Sequence, residues 1–450
     1  MDAATMLRLL RRRATLRRRD RWPRRALEVH QAGALRDLRA LAVARSPLYA
    51  KLHRGRELRP LHELPILTKT MLMEGFDELV TDRSLTRSAA EEHLSKDTPE
   101  LLLNRYRVAA TSGTTGLRGV FLYDEDEWGW VLASYARAND WARIPIRITR
   151  RTRIAIVSSR TPWHQSALVA ASLESRLVAT LRLDATEPLD RIVAALNAFQ
   201  PDSLVGYASM MRALADEQLE GRLAIAPSAV MSASEVLTPE GAARVERAFG
   251  SRPFDVYAAT ETAGVASHCE LHAMHLYEDL VITEVVDDRN QPVPVGELGA
   301  KVLVTVLFAR TQPLIRYELS DSVAISMASC PCGRPFAILA GVQGRREDTL
   351  RLDRIGTDHG SGEVDVRPNV FHRVLEPLDV RAWQVAYGPR GIRVLLAGAA
   401  REVDDARVVI ALRAAMAEAN AVAPPIWIER VGEIPKLASG KTPLIMVERK

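Results

Sequence analysis

The stretch RVAATSGTTGLRGVFLY (residues 107–123) sets two short apolar runs around a loop of glycines and hydroxyl residues. Residues 106–110 and 120–123 read as strands flanking that loop. Gly113 and Gly116 let the backbone fold tightly and turn successive N–H groups toward one point, while Ser112, Thr114 and Thr115 add hydroxyl donors. Such a loop suits a phosphate, although the same residues also build ordinary polar turns. It is not a P-loop of the GxxxxGK[ST] kind.

Outward from the loop, strand-like and helix-like stretches alternate. Residues 124–141, 166–176, 188–199, 210–219 and 239–249 read as helices, and 153–157, 203–207, 229–232 and 254–258 as strands. That alternation predicts an α/β fold with a mostly parallel sheet. From about residue 275 the texture becomes β-branched runs with turns between them, which predicts an antiparallel or barrel-like β-rich subdomain. Residues 349–450 predict a short α+β unit, with strands at 383–387, 392–397 and 426–431 and a helix over 403–420. Before the loop, residues 1–60 read as helical, and Thr68 in LPILTKT stands where it can cap a following helix.

The chain has 450 residues, 47% hydrophobic and 26% charged, which excludes a disordered or collagen-like protein. The net charge of +5 is concentrated at the start: residues 1–25 hold ten arginines against Asp2 and Asp20. The remainder is nearly neutral, so no nucleic-acid-binding surface is expected. The arginine-rich start reads as a solvated basic helix, although its composition also resembles a mitochondrial transit peptide. Lysine is scarce, seven against 54 arginines, which makes each lysine worth locating. Three cysteines cannot staple a fold, and a reducing, cytoplasmic setting is the expectation. No stretch is apolar enough to span a membrane as a helix.

Four further motifs carry chemistry. In DVYAATETAG (255–264) a strand runs into a polar turn with Thr260 and Glu261, and a carboxylate beside a phosphate cradle suits a bridging Mg²⁺. In PLIRYELSDSV (313–323) Asp321 stands at a turn, where it can accept hydrogen bonds from a ribose diol. GRREDTL (344–350) opens the last unit, and IPKLASGKT (434–442) places Lys441 in a Gly/Ser turn. Each has a plain alternative as a capped helix or a turn residue.

In this order the five motifs resemble the adenylate-forming (acyl-CoA synthetase-like) superfamily, in its phenylacetate–CoA ligase-like branch, over roughly residues 45–445. The resemblance implies a large N-terminal AMP-binding domain (1–345, with 1–60 a basic helical lead-in) and a small mobile C-terminal lid domain (346–450). It implies an AMP-forming acid–thiol ligase. A carboxylic acid, aromatic or aryl-like, becomes an acyl-AMP with release of pyrophosphate and is then passed to coenzyme A. Alternatives are transfer to the phosphopantetheine of a carrier protein or to an amine, and a non-catalytic nucleotide-binding scaffold. An acidic carrier would be steered by the arginine-rich start.

The roles the resemblance implies are as follows. Thr111, Ser112, Gly113, Thr114, Thr115 and Gly116 hold the β- and γ-phosphates of ATP. Glu261 binds Mg²⁺ and Thr260 meets the α-phosphate. Ser234, Glu235 and Tyr257 flank the adenine, Asp321 takes the ribose hydroxyls and Arg345 contacts the nucleotide. Glu347 and Asp348 form the hinge, and Lys441 stabilises the adenylation transition state. The sequence departs from the branch at Ala258 and Ser320, which replace glycines, and at Glu347, which replaces an aspartate. No lysine follows the phosphate loop, where Arg118 could substitute.

Cys269, His275, Cys330 and Cys332 together offer three thiols and an imidazole, a closed tetrahedral set for Zn²⁺. Spacing alone equally allows buried cysteines. The same Cys-x5-His and Cys-x-Cys arrangement in some members of the branch implies a structural zinc. Trp163, His164 and Tyr207 stand at strand ends as candidate walls of an acid pocket. A homodimer is compatible with these readings.

Overall fold

A computed structural model describes residues 3–96, 100–111, 117–144, 150–175, 177–345, 348–356 and 362–447. The frame is a nine-stranded sheet. From one edge its strands run Asp321–Ser326, Ile338–Arg345, Met274–Leu276, Ala263–His268, Phe254–Ala259, Ala229–Ala233, Ser203–Gly206, Thr152–Ser158 and Val178–Asp184. The last five are parallel to one another, and pairing turns antiparallel from Phe254–Ala259 onward. Helices between the parallel strands bury apolar faces on the sheet, such as Ile192, Val193 and Leu196 of Leu189–Phe199. A separate antiparallel sheet joins Val281–Val286, Lys301–Val306 and Tyr317–Leu319. The fold is therefore mixed α/β with a β-rich part, as the sequence predicts. Of the β-branched runs after residue 275, however, the one at 323–326 joins the large sheet rather than the small one.

Residues from 350 onward build their own core around Leu350, Phe371, Trp383, Val385 and Leu412. Its four-stranded sheet runs Ile426–Val431, Gly391–Ala397, Ala382–Gly388, Ile445–Val447.

Two expectations change. The predicted helix over 166–176 ends at Leu173, and the strand Val178–Asp184, absent from the sequence reading, follows it. This strand is the sheet edge and buries only Leu183 fully, so its alternation is faint. The arginine-rich start is not a solvated helix. Ala3–Arg19 packs along Glu125–Trp141, buries Leu16 and pairs its arginines with acids far along the chain. Arg8 meets Glu125 and Arg12 meets Asp126, while Arg13 and Arg17 share Asp140. Arg19 reaches Asp279 at 3.3 Å, and Arg24, at the start of the next helix, reaches Glu278 at 2.6 Å. Beneath them Arg137 grips Asp279 through two hydrogen bonds of 2.7 and 2.9 Å.

The partner helix Glu125–Trp141 starts with a capping box. The Asp124 carboxylate accepts from the N–H of Glu127, and the Glu127 carboxylate accepts from the N–H of Asp124. Glu127 is buried and also accepts from Thr311 N and Oγ1 (2.7 and 2.6 Å), which ties this helix to the β-rich part.

Candidate active site

The C-terminal ends of the parallel strands face the small unit across a cleft of about 1990 Å³. Thr111, Ser234, Glu235, Tyr257, Thr260, Glu261, Asp321, Asp348 and Lys441 all line it. Ser112, Gly113, Thr114, Thr115 and Gly116 lie outside the described residues, as does Glu347. What is described is their frame, the antiparallel pair Arg107–Ala110 and Val120–Tyr123. Arg345 ends its strand in register with Asp321.

Thr260 and Glu261 sit at the tip of the hairpin between Phe254–Ala259 and Ala263–His268. The turn is tight: Thr262 N donates to Ala259 O at 3.2 Å, and Ala263 takes a left-handed φ of 61°. The Thr260 carbonyl accepts from Tyr123 OH at 2.5 Å and Gln165 Nε2 at 3.0 Å, which fixes the tip from two other elements. Glu261 is buried and accepts from Tyr317 OH at 3.4 Å. Burial, then the neighbouring Glu261 charge, pushes the Tyr317 phenol well above its usual range, so it remains a donor. Tyr257 OH donates to Asp321 Oδ2 at 2.9 Å, so the expected adenine and ribose residues share one wall. Ser234, exposed on the same side, has a φ of 70°.

Lys441 enters from the small unit, with Nζ 5.5 Å from the centre of the Tyr207 ring. Tyr207 OH in turn accepts from Ser159 N at 2.9 Å. His164 Nδ1 lies 2.9 Å from Ser159 Oγ, and burial, then Lys441 and Arg118, push the imidazole down to about 4. His164 is therefore neutral at physiological pH.

Three cleft residues escaped the sequence reading. Lys69 Nζ donates to Thr111 Oγ1 at 3.3 Å and so brings a cation to the edge of the glycine-rich loop. The signal was present, a rare lysine in LPILTKT, but it stands 42 residues from its partner. Arg118 instead lies over the Trp163 ring at 4.6 Å. Tyr135 and Gln165 also line the cleft, hydrogen-bonded to each other at 2.9 Å. Trp163 is packed under Arg118 and is not among the lining residues.

Behind the hairpin, Cys269, His275, Cys330 and Cys332 converge with all four donor atoms within 4.8 Å of one another. His275 Nδ1 lies 3.0 Å from the Phe336 carbonyl, which assigns its proton there, and Nε2 faces Cys332 Sγ at 3.2 Å. Cys269 and Cys330 lie 4.0 Å apart, and the cysteines are free thiols. Three soft sulfurs and one oriented imidazole fit a structural Zn²⁺.

No family model matches the chain. A phenylacetate-coenzyme A ligase of Thermus thermophilus is 32% identical over 112 residues, 24% of this chain and 25% of that protein. The protein CapK of Staphylococcus aureus is 28% identical over 141 residues, 31% of this chain and 30% of its own length. The matches thus span less than a third of either curated relative. Among solved structures, a 2-hydroxyisobutyryl-CoA ligase in its postadenylation state superposes with a TM-score of 0.72 at 18% identity, covering 96% of this chain and 92% of that one.

The chain carries the fold of that acyl-CoA ligase. The same ligase in its thioesterification state superposes with a TM-score of 0.56 at 21% identity, covering 96% of this chain and 92% of that one. Within the adenylate-forming fold the cleft lies between the large sheet and the last unit. Among the described residues no helix is long and apolar enough to cross a membrane.

Proposed function

We propose that this protein is an AMP-forming acid–thiol ligase. It activates a small carboxylic acid, of aromatic or aryl-like type, with ATP and passes the acyl group to coenzyme A. The observation that carries the reading is the convergence in one cleft of the Thr260–Glu261 hairpin and Lys441, which come from separate units of the chain. In the first step a carboxylate oxygen attacks the α-phosphorus, the α–β P–O bond breaks and pyrophosphate leaves. Negative charge accumulates at the α-phosphate, and Lys441 supplies the cation there. Thr260 is the hairpin contact to that phosphate. Lys69 and Thr111, with Ser112 to Gly116, hold the outer phosphates. The buried Glu261 carboxylate faces the same space and fits an Mg²⁺ ligand, which would neutralise phosphate charge. Tyr257 and Ser234 border the adenine, Asp321 the ribose and Arg345 the nucleotide, while Glu235, hydrogen-bonded to Ser209 N and Thr442 N, holds the wall beside them.

In the second step the thiol sulfur attacks the acyl carbon, the bond to AMP breaks and the thiol proton passes to solvent. The unit from Asp348 onward moves between the two steps, which fits a cleft shared between two cores. The Cys269, His275, Cys330 and Cys332 set holds Zn²⁺ as a structural cross-link. Coenzyme A is preferred to an acidic carrier protein, because the arginines Arg8, Arg12, Arg13, Arg17 and Arg19 are ion-paired within the chain. The free thiols accord with a cytoplasmic protein.

The test is ATP–pyrophosphate exchange across a panel of aryl and aliphatic acids, with Lys441→Ala and Glu261→Ala alongside. Exchange with one acid, lost in both variants while the fold persists, is the expected result. Exchange undiminished in Glu261→Ala would sink the assignment.

A further inference from the structure

The lysine turn is seated on the large unit by a small set of contacts. Leu437 N donates to Lys441 O and Gly440 N to Leu437 O, each at 2.8 Å, which closes the turn on itself. Lys436 Nζ donates to the Ala185 carbonyl at 2.9 Å. Gly440 has a φ of 78°, and a Cβ there would stand 2.7 Å from Ala185 Cβ and 3.2 Å from Thr186 N, so the backbone approach admits only glycine. Beside these stands Glu235, half-buried on the large unit. Its Oε2 accepts from Ser209 N at 2.8 Å, and its Oε1 accepts from Thr442 N at 2.8 Å. Ser209 lies in the first turn of the helix Ala208–Leu219, which receives no cap from its own N-cap side chain, Tyr207. One carboxylate thus serves that helix end and the residue after Lys441, while Tyr207 lies under the Lys441 ammonium.

We propose that Glu235 is a positioning residue whose carboxylate seats the Gly440, Lys441, Thr442 turn on the large unit and so sets where the Lys441 ammonium stands in the cleft. The inference takes the role of Lys441 from the adenylation reading, but the docking itself stands on the hydrogen bonds. The two backbone groups that meet Glu235 are both N–H donors, one on each oxygen, and the Ser209 side chain adds a further hydrogen bond to the carboxylate, so a group with two acceptor oxygens satisfies them. In Glu235→Gln the amide oxygen can serve one donor, and the NH₂ then confronts the other.

Hydrogen-exchange mass spectrometry on the full chain tests the docking, comparing wild type with Glu235→Gln and with Gly440→Ala, which unseats the turn sterically. Protection over residues 436–447 should fall about tenfold or more in Glu235→Gln, the worth of a hydrogen bond to a charged group. Gly440→Ala should open the same peptide. In ATP–pyrophosphate exchange, Glu235→Gln should lower kcat about 100-fold with the KM for ATP held, as misplacement of a reacting group does. Wild-type protection in Glu235→Gln overturns the inference, and so does a raised KM for ATP with kcat held, which would make Glu235 a nucleotide contact. If wild type exchanges with no acid, the adenylation reading fails, and the protection comparison still decides the docking.

Discussion

Replacing Asp279 by Ala should cost far more than its place near the N-terminal helices suggests. Asp279 is fully buried and accepts two hydrogen bonds from Arg137, whose side chain is 1% exposed, and one from Arg19. Without it Asp20, whose nearest oxygen lies 3.3 Å away, is the remaining carboxylate paired with the Arg137 guanidinium among the described residues. An uncompensated buried charge costs about 3–5 kcal/mol. Arg8 and Glu125 on the same helix pair are partly exposed, at 27% and 51%, so Arg8→Ala should cost about 0–1 kcal/mol. With a urea slope of roughly 3 kcal/mol/M, the Asp279→Ala midpoint should fall by about 1–1.7 M. Trp141 reports on the spot, since its indole donates to Asp20 at 2.9 Å, so its fluorescence is the assay. Burial pushes the Asp279 carboxyl up, and Arg137 with Arg19 more than offsets it, leaving the folded value below the ordinary one. The Asp279 contribution is therefore present above the unfolded value of about 3.9 and lost as pH falls through the lower folded value. In Asp279→Ala that acid-side loss should be absent. A midpoint shift no larger than that of Arg8→Ala would refute the argument.

Three other outcomes are expected. Elemental analysis should find one zinc per chain, lost in Cys332→Ser together with a fall in thermal stability; a metal-free protein of undiminished stability in strong chelator would count against the structural site. Lys69→Ala should weaken nucleotide-dependent exchange by about 10- to 100-fold, the scale of a charge-assisted contact, and wild-type kinetics would remove Lys69 from the phosphate end. His164→Gln should leave the shape of the pH–rate profile unchanged between about pH 5 and 8, because the folded imidazole is already neutral there; a limb near 6.5 that vanishes in the variant would show the opposite.

The sequence was most legible where function and local structure share a short stretch. Thr68 caps its helix by accepting from Met71 N at 3.2 Å, and the Thr260–Glu261 turn follows directly from the strand before it. It was least legible where partners are remote. Nothing near residues 8–24 announces Glu125, Asp126, Asp140, Glu278 and Asp279, so ten arginines looked like a charged tail when six of them are fastenings. Lys69 was hidden in the same way, since contact with Thr111 exists only once the helix Lys69–Glu74 and the strand Arg107–Ala110 have come together. Val178–Asp184 was missed for a different reason. An edge strand with one fully buried side chain carries little periodicity, and pairing with Thr152–Ser158 decides its state.

The strand Ala263–His268 has the hairpin carboxylate Glu261 just before one end and the thiol of Cys269 just after the other. It is paired on both sides, with Ser267 facing Val256 across one pair and His275 across the other, and a bulge at Val265 on the first side. Gly264 admits no side chain, because a Cβ would stand 2.8 Å from Tyr277. A one-residue slip would turn every side chain of the strand over. The segment from Glu261 to Cys269 therefore has a fixed length. Descendants of this sequence can lengthen the loops beyond the cysteines, but an insertion or deletion between those two residues would displace both ends at once.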